Sequence, residues 1–225
     1  MNAASQNNQI GIKDFYGRDF YITKDVLIPR PETEQIIDAV LMLTGKPYLP
    51  GVKPNEPQIL DNPIIYDVGT GSGCIAITLK LELPKSKVYA IDISEKAIKT
   101  AQKNAEKNDA SINLISSHLL QKVKEGNLPT PDIIVANLPY VDKNWPWLDK
   151  KALSKEPSIA LYAEDHGLKL IKELISDKTT AKTKYLILEA DPCQHEEIKS
   201  FATNYNFKLT DIRGFILTFK NQASL

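Results

Sequence analysis

The sequence predicts an α/β fold, a doubly wound and mostly parallel sheet of seven strands that ends in an antiparallel hairpin. Three observations predict it. Strand-length apolar runs alternate with helical segments from Ile64 onward; a glycine-rich stretch, Asp67 to Gly73, stands directly behind the first run; and the last two runs, Phe207 to Asp211 and Phe215 to Phe219, are separated only by Ile212, Arg213 and Gly214.

Taken in order, the chain opens on Phe15-Tyr16 and Phe20-Tyr21-Ile22 around Gly17-Arg18-Asp19, which reads as a small hairpin turning at those three residues. Pro31 then starts a helix. Proline suits the first turn, Glu32 and Glu34 complement the helix dipole, and Ile36, Ile37, Val40 and Leu41 recur at helical spacing before Gly45. Between Gly45 and Pro63, five prolines and two glycines interrupt any periodicity. A linker is therefore expected over 46–63, between a lead-in of residues 1–45 and a main domain of residues 64–225. Strands are expected at Ile64–Val68, Val88–Ile91, Ile112–Ile115, Ile133–Ala136 and Tyr185–Leu188. Between the second and third, Ser94 caps a helix whose apolar face is Ala97, Ile98, Ala101 and Ala105, and Asn108 ends it.

The chain has 225 residues, 42% of them hydrophobic and 25% charged, enough for one domain with a real core. Lys plus Arg total 28 and Asp plus Glu total 28, so the overall charge provides no broad positive field, and stable nucleic-acid binding is not expected. No apolar stretch has the length of a membrane span and Met1 to Asp14 carries no signal-peptide core, so no membrane partner and a cytoplasmic location are expected. Cys74 and Cys193 lack metal-ligand spacing; no metal is expected, and the thiols suit a reducing compartment. His166 and His195 read as surface residues flanking helices. A monomer is the expected state.

The chemistry begins at Gly69-Thr70-Gly71-Ser72-Gly73. Glycines between a buried strand and a helix allow positive φ and let a ligand approach the backbone. Asp92, at the end of the second strand, sits where a carboxylate accepts hydrogen bonds from ribose hydroxyls, the other reading being a cap for the helix at Ser94. The spacing is G-x-G-x-G rather than the dinucleotide G-x-G-x-x-G. A nucleoside without pyrophosphate fits S-adenosyl-L-methionine, its amino-acid end lying against the helix start.

Asn137-Leu138-Pro139-Tyr140 follows the fourth strand, at the sheet edge where such folds bind ligands. A nitrogen conjugated to a carbonyl or an aromatic ring is a poor nucleophile and has to be held in line with a methyl donor. The Asn137 side-chain oxygen and a backbone carbonyl within Leu138-Pro139 can accept its N–H bonds while the Tyr140 ring stacks on the planar group. Asn137, Pro139 and Tyr140 are thus the catalytic candidates.

Over roughly residues 15–220 the chain resembles the HemK-type release factor glutamine methyltransferases. The matching segments are Phe15-Tyr16-Gly17, Leu27 to Glu34 (L-I-P-R-P-E-T-E), Asp67 to Gly73, Asn137 to Tyr140, Glu156-Pro157 with Ala160-Leu161, Gly167-Leu168, and Glu189 with Gln194. The resemblance implies a Rossmann-like class I methyltransferase with S-adenosyl-L-methionine as cofactor. The acceptor would be the glutamine in the Gly-Gly-Gln loop of a peptide chain release factor, the product N5-methylglutamine. Gly69, Thr70, Gly71, Ser72, Gly73, Asp92 and Asn137 are then expected around the cofactor, and Asn137 to Tyr140 around the substrate.

The sequence departs from the family in three places. Leu138 stands where the family has proline, a form better known among methyltransferases of adenine; N6-methylation of adenine in RNA or DNA is therefore the alternative. His118-Leu119 occupies the place of the usual acid near adenine, so His118 either hydrogen-bonds the base while Leu119 packs on it or is a surface histidine. Only about 14 residues precede Phe15, so the family's N-terminal helical domain is expected to be mostly lacking, with docking left to other surfaces such as Val141 to Lys155, which carries Trp145 and Trp147. Arg30 either approaches the cofactor or substrate or pairs with Glu32 or Glu34. A non-enzymatic S-adenosylmethionine-binding protein is a third, separate possibility.

Overall fold

Short continuous apolar strands, alternating with helices, organise this chain into a sheet with two covered faces. The computed structural model describes residues 9–46, 60–126, 128–153 and 156–223. Most of the expected 46–63 linker, residues 47–59, lies outside the described residues, as do residues 154–155 at the end of the Val141–Lys155 segment.

The elements run β1 (Gln9–Phe15), β2 (Arg18–Thr23), α1 (Glu34–Leu43), β3 (Ile64–Val68), α2 (Cys74–Glu82), β4 (Lys87–Asp92), α3 (Glu95–Lys107), β5 (Asn113–Ser116), α4 (Gln121–Glu125), β6 (Ile133–Ala136), α5 (Lys150–Leu153), α6 (Ser158–Leu161), α7 (Lys169–Ile175), β7 (Tyr185–Glu189), α8 (His195–Thr203), β8 (Phe207–Arg213) and β9 (Ile216–Asn221). Strands β1 and β2 form a separate hairpin. The other seven make one sheet in the order β5-β4-β3-β6-β7-β9-β8, parallel except where β9 meets β7 and β8.

All five expected strands are present to within a residue or two, and the terminal hairpin pairs antiparallel as expected. The first hairpin turns earlier than expected: Tyr16 (φ 53°) and Gly17 (φ 70°) form a two-residue turn, and Arg18 and Asp19 already pair in the ladder. Two consecutive positive φ values match the right-handed twist of the flanking strands, which a longer turn at Gly17-Arg18-Asp19 would not.

Successive strand residues point to opposite faces. Ile65, Ile133 and Ile187 face a cluster that includes Ile36 and Ile37 of α1, Ile77 and Leu79 of α2, and Phe15, Phe20 and Ile22 of the N-terminal hairpin. Tyr66, Ile134, Leu186 and Leu188 face Leu174 and Ile175 of α7 and Ile198 of α8. The buried Asn104 of α3 joins the hairpin to the glycine turn: its Oδ1 accepts from Tyr21 N at 2.7 Å, and its Nδ2 donates to Tyr21 O at 3.0 Å and Ser72 O at 2.8 Å. As the sequence indicates, Ser94 caps α3, its side chain accepting from Ala97 N. His195 differs from expectation. It is buried, with Nε2 3.2 Å from the Ala190 carbonyl, because α8 packs its first turn against the sheet. Among the described residues, no helix is long and apolar enough to cross a membrane.

Candidate active site

Strand register builds the site. Val68 pairs with Ile91 on one side and Ala136 on the other, and Ala136 pairs with Leu188. The next residue on each strand is therefore level with the others at the carboxyl edge: Gly69, Asp92, Asn137 and Glu189. The chain leaves β3 toward β4 on one side while β6 lies on the other, so Gly69 and Asn137 flank the point where strand order reverses, the usual ligand crevice of such sheets.

A cavity of about 280 Å³ opens there. Of the residues singled out from sequence, Gly69, Thr70, Gly71, Ser72, Asp92, His118, Leu119, Asn137, Leu138 and Pro139 line it, and Gly73, Tyr140 and Arg30 do not. Asp25, Val26, Leu27, Pro29 and Thr33 from the segment after the first hairpin complete the wall. Two carboxylates and no lysine or arginine stand among the lining residues, so the cavity suits a ligand with positive rather than negative charge.

The three motif glycines do different work. Gly69 has φ +81°, and a Cβ there would lie 2.9 Å from Leu138 Cδ2, so the side chain in the proline's place packs directly beneath the turn. At Gly71 (φ +55°) a Cβ would meet only Gly69 O at 4.0 Å, leaving that backbone open to a ligand. Gly73 (φ +82°) instead faces Ala101 at 3.0 Å and Ile77 at 3.1 Å; it is the close contact of α2 with α3 and not part of the cavity wall.

Asp92 meets the start of α3 at Ser94, as one of its two readings has it, and also holds the glycine turn, which the sequence did not indicate. Oδ2 accepts from Gly71 N at 2.9 Å and Oδ1 from Ser94 N at 2.8 Å, tying the glycine turn to the start of α3. Each oxygen keeps a second lone pair. Burial raises its pKa, and the Ser94 and Gly71 amides act in the opposite direction. Behind the turn, Asp67 is wholly buried; its Oδ2 accepts from Thr70 Oγ1 at 2.6 Å and from Ala76 N at 3.1 Å. Desolvation pushes the Asp67 carboxyl up to about 7. Burial likewise pushes the Cys74 thiol up to about 12, so it is no nucleophile near neutral pH.

The tetrapeptide is clamped from three directions. Asn137 Nδ2 donates to Thr33 Oγ1 at 3.2 Å, an assignment that directs Oδ1 away from that bond as an acceptor. The Tyr140 hydroxyl donates to Glu189 Oε1 at 3.1 Å. The Tyr140 carbonyl accepts from Gln194 Nε2 at 2.8 Å, which also donates to His166 O at 2.8 Å. Gly167 (φ +86°) seals this corner, for a Cβ there would fall 2.0 Å from Tyr140 O. Gln194 is itself fixed by a capping box with Asp191.

Arg30 corrects the ion pair expected from sequence. Its guanidinium bonds Glu156, a carboxylate with 3% side-chain exposure that also accepts from Ile28 N at 3.0 Å, and neither Glu32 nor Glu34. Glu34 is taken by Tyr16 N at 2.7 Å. Local spacing favours a neighbour in sequence, but the buried Glu156 presents two acceptor oxygens, one for Arg30 and one for Ile28 N. His118 lines the cavity with its ring 41% exposed and Nδ1 3.5 Å from Glu173. Trp147, 62% exposed, stacks on half-buried Trp145 at a centroid distance of 5.5 Å.

What sequence reasoning missed is the long-range half of the site. Thr33 meets Asn137 across 104 residues and Glu189 meets Tyr140 across 49, contacts that no local pattern encodes. The segments holding Thr33, Glu189 and Gln194 did stand out as family-like, the one signal that could have found them.

Comparison with known proteins agrees. The family model described as ribosomal protein L11 methyltransferase (PrmA) matches residues 53–139. A release factor glutamine methyltransferase of Flavobacterium psychrophilum is 37% identical over 213 residues, covering 91% of this chain and 69% of that protein. One from Koribacter versatilis is 37% identical over 217 residues, with coverage of 91% and 69%. Among solved structures, the Thermus thermophilus 16S rRNA N2 G1207 methyltransferase, in complex with AdoMet and guanosine, superposes with a TM-score of 0.65 at 14% identity, covering 94% of this chain and 50% of that one. At that identity the likeness concerns the fold alone.

Proposed function

The chain belongs to the release factor glutamine methyltransferase family, and from that premise we propose that it methylates the side-chain amide of the glutamine in the Gly-Gly-Gln loop of a peptide chain release factor, with S-adenosyl-L-methionine as donor. The observation that supports this most is the row formed by strand register, with Gly69 and Asp92 on one side of the crevice and an oriented Asn137 on the other.

S-adenosyl-L-methionine supplies a methyl group activated on a sulfonium. The residues present suit it: a carboxylate with free lone pairs at Asp92, open backbone at Gly71, and a wall with two acids and no lysine or arginine. Asp92 would hold the ribose hydroxyls, Gly69 to Ser72 the amino-acid end, and His118 and Leu119 the base. Gly73 contributes by packing the helix behind them.

The chain's own work is orientation. An amide nitrogen donates poorly because its lone pair is shared with the carbonyl. Asn137 Oδ1 and a backbone carbonyl of Leu138-Pro139 accept its N–H bonds, which fixes the direction of the lone pair and favours the positive charge that grows on nitrogen. Tyr140 stacks on the amide plane. Burial and the neighbouring Glu189 carboxylate raise the Tyr140 pKa, so its hydroxyl stays protonated; Arg30, held by Glu156, does not line the cavity. The competing adenine reading rests on Leu138. Here Leu138 packs beneath Gly69, and relatives from Flavobacterium psychrophilum and Koribacter versatilis that match 91% of this chain are named for glutamine.

Mass spectrometry of a release factor treated with the protein should place one methyl group on the glutamine side-chain amide. Methyl on another residue, or none, would remove the proposal. Thr33→Val tests the orientation step. Losing the acceptor for Asn137 Nδ2 should lower kcat about tenfold and stability by roughly 1–2 kcal/mol, with cofactor affinity little changed. An unchanged kcat would mean that Asn137 does not depend on Thr33.

A further inference from the structure

Resting on the proposed transfer reaction, we infer that Glu189 is a positioning residue for it, holding Tyr140 by the hydroxyl and keeping a buried carboxylate behind the tetrapeptide where the acceptor nitrogen becomes positive. Register puts Glu189 level with Gly69, Asp92 and Asn137, the fourth member of the row at the carboxyl edge. It is 2% exposed and does not line the cavity, which Asn137, beside it in the row, does.

Its bonding is lopsided. Oε1 accepts from the Tyr140 hydroxyl at 3.1 Å, while Oε2 is buried without a hydrogen-bond partner among the described residues. A buried acceptor left without a donor is unfavourable, and more so for a charged group, so a purely structural role would be better served by an apolar or amide side chain. Burial raises the pKa of the carboxyl, and Thr33, Tyr140 and Asn137 around it counter only part of that rise. Those are the same side chains that shape the acceptor pocket. Asp67, the other buried carboxylate with a lone oxygen, differs in that the glycine turn and α2 donate to it directly, which explains it as local structure.

In the transfer, the amide nitrogen lone pair forms the new N–C bond as the C–S bonding pair returns to sulfur, leaving a cationic nitrogen that then loses a proton to water. Positive charge moves toward the Asn137 side of the crevice. A fixed negative charge in a dry environment favours that displacement without reorganising during it, and the Tyr140 link keeps the stacking ring in register with the carboxylate.

The test pairs Glu189→Gln, which keeps shape and an acceptor oxygen but not charge, with Tyr140→Phe, which keeps the ring but not the link. Both are assayed on whichever acceptor the wild type labels, so a wrong substrate assignment shows in the wild type alone and leaves the comparison intact. Glu189→Gln is expected to lower kcat about tenfold to a hundredfold, with the acceptor KM and the calorimetric affinity for S-adenosylhomocysteine within about threefold of wild type. In the double variant the two losses should overlap rather than multiply, since both act through one contact. A Glu189→Gln enzyme with kcat within about twofold of wild type, or fully multiplicative losses, would overturn the inference.

Discussion

Asn137→Ala is expected to bind S-adenosyl-L-methionine within about threefold of wild type while losing about a thousandfold or more in methyl transfer. The asymmetry follows from where the side chain points. Asp92 and the glycine turn lie on the far side of the crevice and hold their geometry through Gly71 N, Ser94 N and Asn104, none of which involves Asn137. Asn137, by contrast, is fixed at Nδ2 by Thr33, and in the proposed reaction its Oδ1 is the atom that would hold the acceptor. Removing it leaves an amide whose lone pair is free to rotate out of line, and both positioning and charge stabilisation are lost together. Cofactor binding by calorimetry and single-turnover transfer separate the two quantities. Substantial residual turnover would show that the backbone carbonyls alone orient the acceptor.

Asp92→Ala should do the reverse, weakening cofactor binding by about a hundredfold or more, because charge-assisted hydrogen bonds of roughly 1.5–3 kcal/mol each are lost. The substitution also strips Gly71 N of its acceptor, so the turn that receives the amino-acid end loosens. Transfer at saturating cofactor should recover much of the wild-type rate, as the acceptor side is untouched. Asp92→Asn, which keeps one acceptor oxygen, should fall between. An alanine variant that binds normally would reduce Asp92 to the helix cap it also is.

The sheet was legible in the sequence because both of its faces are covered, so its strands are short apolar blocks such as Ile133–Ala136, bounded by polar residues. Ser94 and the alanines of α3 announced a helix by cap and period. The cavity side was legible wherever function sits at the end of a strand: Gly69, Asp92 and Asn137 each follow an apolar run directly. Partners that arrive from elsewhere in the chain were not legible. In sequence Arg30 reads either as approaching cofactor or substrate or as pairing with Glu32 or Glu34; it does not line the cavity, and its partner, Glu156, lies 126 residues away. Gly73 fits the glycine motif by spacing, and only the packing of Ala101 and Ile77 reveals that it faces a helix. His195 looked like a surface residue because burial depends on how α8 meets the sheet, which a single helix does not encode. The short helices α4, α5 and α6 are too brief to carry a period and depend on the loops around them.

The central claim is that this chain methylates a glutamine amide on a release factor, and competition between acceptors in one reaction tests it most directly. Labelled S-adenosyl-L-methionine is supplied with the protein, a release factor, the same factor with the Gly-Gly-Gln glutamine changed to alanine, and ribosomal RNA. Label on the unchanged release factor alone is the predicted result. Label on the RNA, or equal label on the alanine variant, would contradict the assignment of substrate.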